Sequence, residues 1–173
     1  MIIGLSLANF TLLHVIISLI GIASGLIAVL GLCGGRLLAG WTALFLLTTV
    51  ATSVTGFMFP SSTFGPPQIV GVISLIALAI ALSALYLYRV AGPWRWIYAI
   101  TAVLSLYLNM FVGVAQAFDK IPALHPLAPT GSEPPFKIAQ AIVLIAFIVL
   151  AIAAVRRFHP IGRSSTPAYN PGA

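Results

Sequence analysis

The sequence predicts an all-α integral membrane protein, a five-helix transmembrane bundle with its N-terminus outside and its C-terminus cytoplasmic. Three observations predict it. The 173-residue chain is 61% hydrophobic and 6% charged, with a mean hydropathy of +1.14 that no soluble composition approaches. Its apolar residues gather in five stretches of about 18 to 23 residues, each able to cross a hydrocarbon core of about 30 Å as a helix. Numbering the connections alternately puts Arg36, Arg89, Arg95, Arg156, Arg157 and Arg163 on one side. Lys120 and Lys137, with Asp119 and Glu133, fall on the other. An excess of Lys and Arg in short loops marks the cytoplasmic face, so the pattern sets the orientation.

The elements follow in order. Span one covers about residues 10–32 and is read as a retained span, because the start has no basic region and the apolar run is too long for a signal-peptide core. Gly34-Gly35 breaks the chain, and span two follows at about 41–59. Pro60 and the Gly65-Pro66-Pro67 run close it and restart span three, about 68–88. Gly92-Pro93 turns the chain into span four, about 97–118. Trp41, Trp94, Trp96 and Tyr98 gather near this inner interface, where amphipathic rings settle at headgroup level. The connection from Asp119 to Pro135, rich in proline, reads as a semi-rigid flap over the outer face, and span five follows at about 138–155. Residues 1–157 thus form one five-span domain, and 158–173 a disordered basic cytoplasmic tail. No internal repeat is visible, which leaves an inverted-repeat transporter unsupported.

Polar residues inside the spans fall on stripes. At about 100° per residue, His14, Ser18, Gly21 and Gly25 share one face of span one. Thr48, Thr52 and Thr55 share a face of span two, and Tyr98, Ser105, Asn109, Gly113 and Gln116 a face of span four. Polar side chains are costly in lipid unless they face protein, so the three stripes are expected to face one another. With the assigned orientation, His14, Ser18, Thr52, Thr55, Asn109 and Gln116 belong to the outer half, and Gln68, Gln140 and Lys137 start their spans on that side. The expectation is one outer-leaflet polar cavity lined by His14, Ser18, Thr52, Thr55, Asn109, Gln116 and Gln140, with His125 in the flap above it. The competing expectation is that the same groups only lock helices together: Thr and Ser back-bond to their own helix, and Gly21-x-x-x-Gly25 is a packing pair.

Composition narrows the chemistry. The net charge of +6 does not indicate nucleic acid, because the basic residues stand singly at span ends. Their expected partners are anionic membrane lipids, at about 1 kcal/mol per residue. Cys33 is alone, so it forms no intramolecular disulfide and reads as packing. A haem b site would need two axial histidines, and His14 is the only one inside a span, with His125 the weak second candidate. No carboxylate lies within a span, which removes the usual acid for hydrolysis or ion coupling. The leading expectation is a non-catalytic membrane subunit or accessory protein, partnered by other membrane subunits or by its own copies. The alternative is a haem- or quinone-binding redox protein centred on His14, and a lipid or small-molecule carrier stands third.

The runs TALFLLTTVATSVTGFMFP (42–60), RWIYAITAVLSLYLNMFVGVAQAF (95–118) and LAPTGSEPPFKIAQ (127–140) resemble a group of small, uncharacterised multi-pass membrane proteins of proteobacteria. The resemblance implies a bacterial inner-membrane location and carries no known activity, so it assigns no functional residues.

Overall fold

The computed structural model describes residue 2, residues 4–60 and residues 64–159. Among them five long helices occur: α1 (Leu7–Cys33), α2 (Ala39–Gly56), α3 (Pro66–Leu82), α4 (Trp94–Lys120) and α5 (Pro134–Arg157). All five are long and apolar enough to cross a membrane. A π-helical turn, Ser83–Leu87, prolongs α3, so the third span matches its expected length. Each expected span lies within its helix to within a few residues.

Local chemistry explains the boundaries. Ser6 caps α1 by accepting from the Asn9 N–H at 3.2 Å. Gln68 folds back to accept from the Gly65 N–H at 3.0 Å, so it caps α3. Pro66 and Pro134 occupy the first turns of α3 and α5, where a missing N–H costs nothing. The turn into α4 is sharper than Gly92-Pro93 alone implied. Arg89 and Val90 adopt left-handed backbone, at φ 50° and 51°, and the Val90 N–H returns to the Ala84 carbonyl at 2.9 Å. Tyr88 and Trp94 stack in parallel at 3.6 Å across that turn.

Helix α4 is the hub. It touches all four other helices, whereas α5 leaves most of its surface outward. The apolar core joins Val29 and Leu32 of α1, Phe45 and Leu46 of α2, Leu78 and Ala81 of α3, Ala102 and Leu106 of α4, and Phe147 and Ala154 of α5. Gly25 permits this packing: a Cβ there would lie 2.6 Å from Leu106 Cδ1 and 2.7 Å from Phe45 Cδ2. The outer surface is aliphatic, with Leu19 60%, Leu47 70% and Ile145 62% exposed. That is the surface a helix needs against lipid tails.

The two ends differ. At the arginine end, the turn after α1 packs on the end of α5, and Gly35 (φ +74°) leaves room for the Arg157 carbonyl. Arg95 donates from Nη1 to the Phe158 carbonyl at 3.1 Å. Phe158 is buried against Tyr98, so ordered chain extends past α5 and the tail does not begin at 158 as expected; residues 160–173 lie outside the described residues. Tyr98 is likewise a core residue and not an interfacial ring. At the opposite, amino end, the proline-rich connection is folded: it carries a 3-10 turn at His125–Leu127, and Phe118 meets Phe136 edge-on at 5.6 Å.

Glu133 closes that connection. Desolvation raises its pKa, but hydrogen bonds from Thr130 Oγ1 and from the backbone N–H groups of Thr130 and Ser132 together outweigh it and hold the carboxyl at about 2. A depressed carboxyl stabilises the turn fully above its ordinary value of 4.5. That contribution falls away as pH drops towards about 2. Protection of the Thr130 and Ser132 amides, taken relative to the intrinsic exchange rate at each pH, should therefore be lost between pH 5 and about pH 2, and Glu133→Gln should lower that protection at pH 5 and remove its pH dependence. In the core, Gly25→Ala is expected to destabilise by about 1–3 kcal/mol through overpacking, read as a fall in thermal midpoint in detergent.

Candidate functional site

The polar stripe of α1 meets that of α2 as an antiparallel zipper. His14 pairs with Thr55, Ser18 with Thr52, Gly21 with Thr48 and Thr49, and Gly25 with Phe45. The partners step by three or four residues in opposite directions, as antiparallel helix faces require.

The proton count assigns the histidine. Thr55 Oγ1 donates to the Ala51 carbonyl at 2.7 Å, which uses its single hydroxyl hydrogen. The 2.7 Å contact between His14 Nδ1 and Thr55 Oγ1 then needs the ring as donor. The imidazole carries its proton on Nδ1, and in the neutral form Nε2 is the acceptor. Phe59 lies edge-on to the ring at 5.1 Å. Ser18 spends its hydrogen on the His14 carbonyl at 2.7 Å, so its 3.3 Å approach to Thr52 Oγ1 is the weaker branch.

One turn deeper, Asn109 of α4 reaches the same seam. A Cβ on Gly21 would lie 3.1 Å from Asn109 Nδ2, 3.2 Å from Thr48 Oγ1 and 3.3 Å from Thr49 Oγ1. Thr48 back-bonds to the Leu44 carbonyl at 2.7 Å. Thr49 Oγ1 and Asn109 Nδ2 are buried with no protein partner, an arrangement that costs about 1–3 kcal/mol per group if nothing else serves them.

The other candidates lie elsewhere. Gln140 is buried between α5 and α4, where Nε2 donates to the Phe111 carbonyl at 3.0 Å. Gln116 is exposed, against expectation. Gly25 meets Leu106 and Gly113 meets Ile22 across the α1–α4 seam, whereas Gln116, three residues past Gly113, is exposed. His125 is exposed in its 3-10 turn and makes no contact with His14, so the two do not pair across a common space. The expected single polar cavity is thus resolved into a His14–Ser18–Thr52–Thr55 cluster, an Asn109–Thr49 pair and the Gln140 bond. A shallow, open, apolar groove runs along Leu7, Ala8, Thr11, Leu12 and Val15 of α1.

Two helix-bridging contacts carried no sequence signal. Ser53 of α2 donates to Ser74 of α3 at 3.1 Å, both buried. Cys33 Sγ approaches the Leu150 carbonyl of α5 at 3.6 Å, which gives the lone thiol a packing role. Neither residue lies on a recognisable polar stripe; only the placement of α3 and α5 reveals them.

No family model, curated protein or solved structure matches this chain.

The zipper has a direct energetic signature. A double-mutant cycle on His14→Phe and Thr55→Val, read by thermal unfolding, should give a coupling of about 0.6 kcal/mol and at most about 1.7. Zero coupling would mean that the bond does not form.

Proposed function

We propose that this chain is a non-catalytic integral membrane subunit or accessory protein that packs against other membrane proteins. One observation carries the reading: the interior polar groups spend most of their hydrogen bonds inside the bundle, the hydroxyls largely on their own helix and a few side chains on a neighbouring one. His14 bonds α1 to α2, Ser53 bonds α2 to α3, and Gln140 bonds α5 to α4. Such bonds fix a bundle and leave few groups aimed at a substrate. The aliphatic faces of α1 and α5 are the surfaces available to lipid or to partner helices.

The orientation belongs to the same proposal. Arg36, Arg89, Arg95, Arg156 and Arg157 gather at one end, and the rule for basic loops makes that end cytoplasmic. A bacterial inner membrane is supported by the resemblance of the 42–60, 95–118 and 127–140 segments. Reporter fusions at Gly65 and at the C-terminus should then read periplasmic and cytoplasmic respectively, and a shared side would overturn the topology.

A second reading, a quinone or haem contact at His14, draws on the acceptor left at Nε2. Oxidised and reduced visible spectra of the gently solubilised protein, with quinone analysis of its lipid extract, separate the two. The expected result is a colourless, quinone-free protein whose size in solution exceeds one chain. A Soret band or stoichiometric quinone, lost in His14→Ala with the fold intact, would reverse the order.

A further inference from the structure

Most interior hydroxyls of this bundle satisfy themselves. Ser18, Ser24, Thr48, Thr55, Thr101 and Ser105 all donate to the carbonyl four residues back. Thr49 is different: its hydroxyl is buried, makes no such bond and faces the seam between α1 and α4. Asn109 is more than nine-tenths buried, and its Nδ2 has no protein acceptor. Both groups point at the backbone of Gly21, where a side chain is missing.

We propose that Gly21, Thr48, Thr49 and Asn109 form a binding site for one water molecule at the middle of the bundle. The donor and acceptor inventory matches such a guest. Asn109 Nδ2 offers a hydrogen, and Thr48 Oγ1, whose hydrogen goes to the Leu44 carbonyl, offers lone pairs. Thr49 Oγ1 offers either. A guest that accepts from Asn109 and donates to the two threonines has three partners, the usual number for a buried water. The three atoms converge within 3.1 to 3.3 Å of the Cβ position of Gly21, so even a methyl there would press on all of them. A cation does not fit, because the amide presents N–H groups and the acids Asp119 and Glu133 lie at the amino-end connection.

This gives Gly21 a role distinct from Gly25, four residues on. Gly25 faces carbon atoms of Leu106 and Phe45, so it serves close packing, whereas the three atoms nearest the Cβ position of Gly21 are nitrogen and oxygen.

The test uses the full chain in deuterated detergent with 15N-labelled asparagine. The sequence has three asparagines, Asn9, Asn109 and Asn170, so the side-chain NH2 signals are few, and Asn109→Leu assigns the one of interest. The expected result is a cross-peak from water to the Asn109 NH2 with the sign of a protein-held molecule. It should vanish in Gly21→Ala, whose methyl occupies the seam, and weaken severalfold in Thr49→Val, which keeps its shape. Gly21→Ser should also lose the cross-peak yet melt above Gly21→Ala, because its hydroxyl replaces the guest. An Asn109 NH2 that shows contacts only to Thr48 or Thr49 protons would overturn the proposal in favour of a direct bond. A water cross-peak unchanged in both Gly21→Ala and Thr49→Val would overturn it by placing the water elsewhere.

Discussion

Helices surrounded by lipid gain nothing from hiding apolar surface against each other, so this bundle depends on how closely α1 approaches α2 and α4. Gly25 sets that approach by removing the side chain that would strike Phe45 and Leu106. Once the backbones are that near, the register of α1 on α2 follows, and with it the meeting of His14 with Thr55 and Ser18 with Thr52. The hydrogen bonds refine a contact that the glycines create. They also penalise a slip, because moving α2 by one residue would turn Thr52 and Thr55 towards lipid.

The polar contacts are distributed unevenly along the bundle. From the level of Gly21 to the amino end, helices are joined by His14, Ser18, Ser53 and Gln140. Towards the arginine end the joints are side chains such as Phe45, Leu106, Tyr98 and Phe158. The amino half is thus joined mainly by side-chain hydrogen bonds, and the arginine half mainly by shape, with the Arg95–Phe158 bond and the Cys33–Leu150 contact added to it. The aliphatic exterior runs over both halves, as lipid contact along the whole bundle requires.

Much of this was legible in the sequence, and the reasons are physical. Long apolar runs admit one backbone solution in lipid, so five spans could be placed to within a few residues. The pairing of the 14/18/21/25 face with the 48/52/55 face followed from helical spacing and the cost of exposing polar groups. Position along a helix was harder. Gln116 shares a face with Asn109 by angle, but it is exposed where Asn109 is buried. Phe158 looked like the start of a tail, because nothing in sequence shows that Arg95 will bind its carbonyl. Ser53 and Ser74 are single small polar residues on two helices, and only three-dimensional placement pairs them. The failure of Thr49 to back-bond is a rotamer choice, which no sequence pattern records.

The central claim is that the His14–Ser18–Gly21–Gly25 face of α1 is buried against α2 in the membrane. Cysteine cross-linking in native membranes, in a Cys33→Ser background, tests it most directly. Ser18→Cys with Thr52→Cys should form a disulfide rapidly under mild oxidation. Leu19→Cys with Leu47→Cys, both on outward faces, should not. Efficient cross-linking of the second pair, with none of the first, would mean that α1 presents the opposite face to α2 and that the bundle is assembled another way.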